Sequence, residues 1–262
     1  MIFCDTHTHL YVEEFNADRD EVIRKAVEAG VERFLMPNID RSSVRDMLDL
    51  SAAFPDRCKP MMGLHPTSVD DQYREELELV EEYLIAPEYC FCAVGEIGID
   101  LYWDKTFRVQ QEDAFSRQLD LAVRHDLPVV IHTRNAFDIA AGIVESKQDQ
   151  TLRGVFHCFG GNIAQAKRAI ALGFMIGIGG VITYKNSGLQ QVVEAIGMEH
   201  LLLETDSPYL PPVPHRGQRN ESGYLPLIAA RIAAIKKITV EEVAETTTAN
   251  AKRLFNLSPC RK

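Results

Sequence analysis

Short apolar runs rich in Val, Ile, Leu and Phe alternate along the chain with longer segments in which apolar residues return every three or four positions. The short runs predict strands near 2–7, 31–37, 58–64, 91–96, 128–132, 154–158, 173–178 and 201–206. The longer segments predict helices near 18–29, 42–53, 71–85, 107–125, 135–147, 162–171, 188–196, 221–236 and 239–254. Gly30 and Gly173 follow helices, and Pro37, Pro66 and Pro208 stand where strands give way to loops. Strict alternation implies parallel strands with helical crossovers, and eight units predict an α/β chain closed into a single (β/α)8 TIM barrel spanning 1–262. An open doubly wound sheet is the other arrangement such alternation allows. It fits less well, because no G-x-G-x-x-G opens a helix after the first strand and the Gly177, Gly179, Gly180 cluster comes late.

A chain of 262 residues matches the roughly 250 that such barrels use. With 46% hydrophobic and 25% charged residues, disorder and fibrous repeats are excluded. The first residues lack a basic segment followed by an apolar one, and Gly173 to Ile182 is too short and glycine-rich to span a bilayer. A cytoplasmic protein without a membrane partner is expected. The six cysteines (4, 58, 90, 92, 158 and 260) form no C-x-x-C pair, so reduced thiols are expected, with Cys90 and Cys92 at strand spacing around Phe91. The net charge of −10 argues against a protein that coats nucleic acid. It leaves room for an enzyme that engages a strand end briefly and draws positive charge from bound cations.

Barrel chemistry gathers where strands end and the following loops begin. His7 and His9 end the first predicted strand, and their i, i+2 spacing directs both imidazoles to one face of an extended chain. Glu96 ends the fourth, His132 the fifth, His157 the sixth, and Glu204 with Asp206 the eighth. Four imidazoles and several carboxylates at one mouth make a nitrogen and oxygen donor set suited to Zn, Mn or Mg. The simplest arrangement holds two divalent ions: His7, His9 and Asp206 on one, His132 and His157 on the other, and Glu96 bridging. A water between the ions would lose a proton near neutral pH and act as the nucleophile. His65, after the third strand, is expected to touch substrate, with Arg134, Lys185 and Arg216 as a phosphate clamp.

These motifs resemble the TatD family of metal-dependent deoxyribonucleases, among the amidohydrolase-like barrels. The resemblance runs through Asp5-Thr-His-Thr-His9, Gly63-Leu-His-Pro66, Gly95-Glu-Ile-Gly-Ile-Asp100, His132-Thr-Arg134, His157-Cys-Phe159, Glu204-Thr-Asp-Ser-Pro208, Pro212-Val-Pro-His-Arg-Gly217 and Asn250-Ala-Lys-Arg-Leu-Phe255. It implies a (β/α)8 barrel with one to three divalent ions, removing nucleotides from the 3′ end of single-stranded DNA. It also implies metal binding by His7, His9, Glu96, His132, His157 and Asp206. Glu204 becomes a candidate for a further ion or for proton transfer, and Asp206 for orienting or deprotonating the attacking water. The chain departs from the family pattern at Asn135, Gly160, Gly161 and Gly179, all in loops around the substrate. Two other functions fit the residues themselves: a metal-dependent hydrolase of an aminoacyl ester, amide or lactone, and a non-enzymatic binder whose ions only staple loops.

Overall fold

A computed structural model describes residues 1–147 and 151–257. Among the described residues the strands are β1 (Phe3–Asp5), β2 (Val31–Pro37), β3 (Cys58–Met61), β4 (Val94–Asp100), β5 (Val129–Arg134), β6 (Gly154–Phe156), β7 (Phe174–Ile178) and β8 (Leu201–Leu203). The α-helices are α1 (Arg19–Glu28), α2 (Val44–Ala53), α3 (Tyr73–Ile85), α4 (Arg108–Arg124), α5 (Phe137–Ser146), α6 (Ile163–Ala171), α7 (Leu189–Ala195), α8 (Leu225–Lys236) and α9 (Val240–Phe255). Local signals set several ends. Asn162 with Gln165 and Thr239 with Glu242 form capping boxes that open α6 and α9, each satisfying two otherwise unpaired backbone donors.

All strand pairs are parallel, in the blocks β1-β2-β3 and β4-β5-β6-β7-β8. Parallel bridges from Met62 to Val94 and from Thr8 to Ser207 join the blocks and close the (β/α)8 barrel. At the second seam the Thr6 N–H donates to the Leu203 carbonyl at 3.0 Å and the Asp206 N–H to the His7 carbonyl at 2.9 Å.

The two-residue side-chain period of a strand divides the core into two layers. Cys4, Leu35, Val130, Val155, Met175 and Leu202 pack with one another inside the cylinder, while their neighbours Phe34, Ile131, Phe156, Ile176 and Leu203 lie under the helices. Ala251, Leu254 and Phe255 of α9 join the inner cluster, and α9 packs on β1 and β8, plugging the end where strands begin. The open end is left to the loops that follow the strands. No helix of the described residues is long and apolar enough to cross a membrane.

The expected elements are present with shifted bounds. The largest shift is in β4, which begins at Val94 and runs to Asp100, so Glu96 lies inside the strand and does not end it. A register irregularity between Val94 and Ile97 sets Glu96 out of the regular ladder with β5. Cys90 and Cys92 precede the strand, contrary to the expectation of strand packing. Cys4, Cys58, Cys92 and Cys158 are free thiols, whereas the exposed Cys90 is disulfide-bonded, which corrects the expectation there. Cys260 lies outside the described residues.

Candidate metal centre

Barrel closure carries His7 and His9, just past β1, alongside Asp206, just past β8. The His9 N–H donates to the Ser207 carbonyl at 2.8 Å, which holds the two segments in register. Glu96 enters from β4, His132 from β5, and His157 from the residue after β6. All six meet at the end of the barrel away from α9, around the Glu96 carboxylate.

Each oxygen of Glu96 faces a different set of donors. Oε2 lies 3.2 Å from His7 Nε2 and 3.6 Å from His9 Nε2, and both of those nitrogens are 3.7 Å from Asp206 Oδ1. Oε1 lies 2.7 Å from His157 Nε2 and 3.0 Å from His132 Nδ1, and these nitrogens are 3.2 Å apart. Three overlapping groups gather donors within 4.8 Å of one another: His7 with His157 and Asp206, His7 with His9 and Glu96, and His65 with Glu96 and His132.

The hydrogen bonds behind the rings assign their tautomers. Tyr11 Oη donates to the Pro37 carbonyl at 2.5 Å, so it accepts from His9 Nδ1–H at 3.0 Å and leaves the His9 Nε2 lone pair facing Glu96. Asp100 Oδ2 accepts from His132 Nε2–H at 3.0 Å, which leaves Nδ1 bare toward the centre. His65 differs. Its Nδ1 accepts from the Thr67 N–H at 3.1 Å, so its Nε2–H points at Glu96 Oε1, 3.3 Å away, as a donor.

Burial governs the electrostatics. It pushes the imidazoles of His7 and His9 down to about 4 and about 3, with neighbouring imidazoles adding to the effect. Burial pushes Asp206 up to about 7, with His157 opposing and the Glu96 and Glu204 carboxylates reinforcing it. For Glu96, burial works to raise the carboxyl but is outweighed by His157, His65 and His7, which hold it well below the usual carboxylate range. Burial likewise opposes protonation of His157, and Glu96 and Glu204 overcome it to raise that ring.

The donor set fits divalent cations. Among the described residues the ion-pair partners of the buried Glu96 and of Asp206 are all imidazoles, with no lysine or arginine in reach. The bare His9 Nε2 turned toward the Glu96 carboxylate is a contact that a cation between them would relieve.

The other predicted residues are placed unequally. Glu204 is fully buried behind His157: Oε1 accepts from the Cys158 N–H and lies 3.7 Å from His157 Nδ1, while Oε2 has no partner. A side chain at Gly177 would overlap that carboxylate, and this is why the strand has glycine there. His65 and Arg134 line a cavity of about 1080 Å³ over the centre, with His9, Glu96, Asp206 and Tyr209. Lys185 and Arg216 do not. They line a separate depression of about 560 Å³, because the loops after β7 and β8 pack on each other: Arg216 stacks 4.4 Å over Tyr184, whose hydroxyl donates to the Pro211 carbonyl at 2.8 Å. The expected three-residue clamp is thereby reduced to Arg134. Residue-by-residue reading also missed Asp100, Tyr102 and Trp103, whose signal was a polar residue closing an apolar run with two aromatics shortly after it.

Similarity to known proteins covers nearly the whole chain. The family described as TatD related DNase matches residues 4–256. The uncharacterized metal-dependent hydrolase YabD of Bacillus subtilis is 36% identical over 259 residues, covering 98% of this chain and all of that protein. A protein of Erwinia tasmaniensis named 3′-5′ ssDNA/RNA exonuclease TatD is 33% identical over 259 residues, covering 97% of this chain and 99% of its own. The crystal structure of YjjV, a TatD homolog from Escherichia coli K12, superposes with a TM-score of 0.92 at 31% identity, over 97% of this chain and 98% of that one. The chain belongs to the TatD family and is a metal-dependent hydrolase.

Proposed function

We propose that this protein is a two-metal 3′–5′ exonuclease that hydrolyses phosphodiesters at the ends of single-stranded DNA, working as one domain in the cytoplasm without an obligate protein partner. His7, His9 and Asp206 would hold one divalent ion, His132 through Nδ1 and His157 through Nε2 the other, with Glu96 shared. Such ions, Zn, Mn or Mg, supply Lewis-acid stabilisation of phosphoryl oxygens and lower the pKa of water. The observation that carries the reading is the division of the Glu96 oxygens between two donor sets at the floor of a cavity of about 1080 Å³, large enough for a nucleotide. The Erwinia relative named as an exonuclease supports the choice of substrate.

The chain's own groups then have distinct tasks. Asp206, at the cavity wall, accepts the proton of the attacking water. The His65 Nε2–H orients Glu96, and the Arg134 guanidinium at the rim holds a non-bridging phosphate oxygen. Behind His157, Glu204 orients that ring and has no path to substrate. Glu96→Ala and Asp206→Ala are each expected to abolish metal-dependent release of nucleotides from 3′-labelled single-stranded DNA. Wild-type turnover in either variant, or hydrolysis of aminoacyl esters or lactones by a protein inert toward DNA, would overturn the reading.

A further inference from the structure

The loop after β4 carries Tyr102 and Trp103 into solvent, 52% and 70% exposed, beside the one arginine of the central cavity. The Arg134 guanidinium lies 3.8 Å over the Tyr102 ring and 5.1 Å from that of Trp103, and the two rings meet edge to face at 4.9 Å. Trp103 lines the cavity that holds Glu96 and Asp206. Exposing an indole to water is unfavourable unless something flat covers it.

Resting on the nuclease reading, we infer that Trp103 is a nucleobase platform: a base near the 3′ end of a single strand stacks on the indole while Arg134, held by the two rings, takes the adjacent phosphate. An aromatic face accepts any base, which suits an enzyme that shortens a strand regardless of sequence. The stack is tied to the reaction centre. Asp100 Oδ1 accepts from the Tyr102 N–H at 2.8 Å and the Trp103 N–H at 3.3 Å, while its other oxygen holds His132 Nε2 at 3.0 Å. One carboxylate thus sets both the height of the platform and the direction of a candidate metal ligand. Asp100 is a positioning residue in this scheme, touching no reacting atom.

The single tryptophan of the chain makes the test direct, because its emission reports on this position alone. Zinc-loaded protein is titrated with a phosphorothioate thymidine trimer and with the same trimer built from abasic sugars. Saturable quenching by the first is expected, with the abasic trimer binding at least tenfold more weakly. Trp103→Ala should raise KM for oligothymidylate about tenfold while weakening the abasic trimer several-fold less, since Tyr102 still holds Arg134, and Trp103→Phe should restore most of the loss. Equal binding of the two trimers, absence of quenching, or an unmoved KM in Trp103→Ala overturns the platform. Hydrolysis of the unmodified trimer is scored separately. Quenching without hydrolysis sinks the nuclease reading and keeps the platform; hydrolysis without quenching does the reverse.

Discussion

His9 shows how a single side chain is prepared. Its ring is kept neutral by burial, and Tyr11 and the Pro37 carbonyl fix which nitrogen carries the proton. Tyr11→Phe keeps the buried ring and deletes the hydroxyl that accepts from His9 Nδ1–H and donates to the Pro37 carbonyl. Titration calorimetry should show zinc affinity falling about 10- to 100-fold with the fold intact. Proton competition belongs to the same scale. His7 and His9 are unprotonated down to about pH 4, whereas Asp206, raised to about 7, holds a proton below that pH. A cation must displace that proton and those favoured on His157 and His132, so apparent metal affinity should fall at least about tenfold per unit as the pH drops from 7 to 5. A flat profile over that range would contradict the assignment of Asp206. The imidazoles themselves were legible in the sequence because each follows an apolar run. Their tautomers were not, since Tyr11, Pro37 and Asp100 reach them only through folding.

β4 does the most positioning of any element. Gly98 pairs with His132 in the ladder at a φ of +143°, and a side chain there would overlap the His132 carbonyl oxygen. Gly98→Ala should lose about 2 kcal/mol or more of unfolding free energy in a urea titration. It should also misplace His132 and lower metal affinity further than the stability loss alone requires. β4 is equally the element that sequence patterning placed least well. A carboxylate after an apolar run reads as a strand end, and Gly95 and Gly98 interrupt the alternation that would have extended the strand to Asp100. Lys185 and Arg216 were misplaced for a related reason: proximity to a strand end in sequence says nothing of which neighbour a loop folds against.

For the molecule as a whole, eightfold alternation of apolar run and helix pointed to parallel strands covered by helices, and the lack of a glycine-rich turn after the first strand favoured the barrel over an open sheet. Candidate ligands drawn from the ends of β1, β4, β5, β6 and β8 would make metal binding a property of the closed cylinder. Scanning calorimetry should therefore find the protein more stable with zinc than with chelator, by about 2.7 kcal/mol at one hundred times Kd. An identical melting temperature under both conditions would exclude an ion at this position.

The seam between β1 and β8 adds a temporal consequence. His7 and His9 are made well before Glu96, and nearly two hundred positions before Asp206, the two carboxylates that face them. Until β8 is complete the imidazole pair therefore lacks the Asp206 carboxylate. On the proposed ligand set, completion of the last strand is the step that finishes the cage, so maturation and ion loading would coincide.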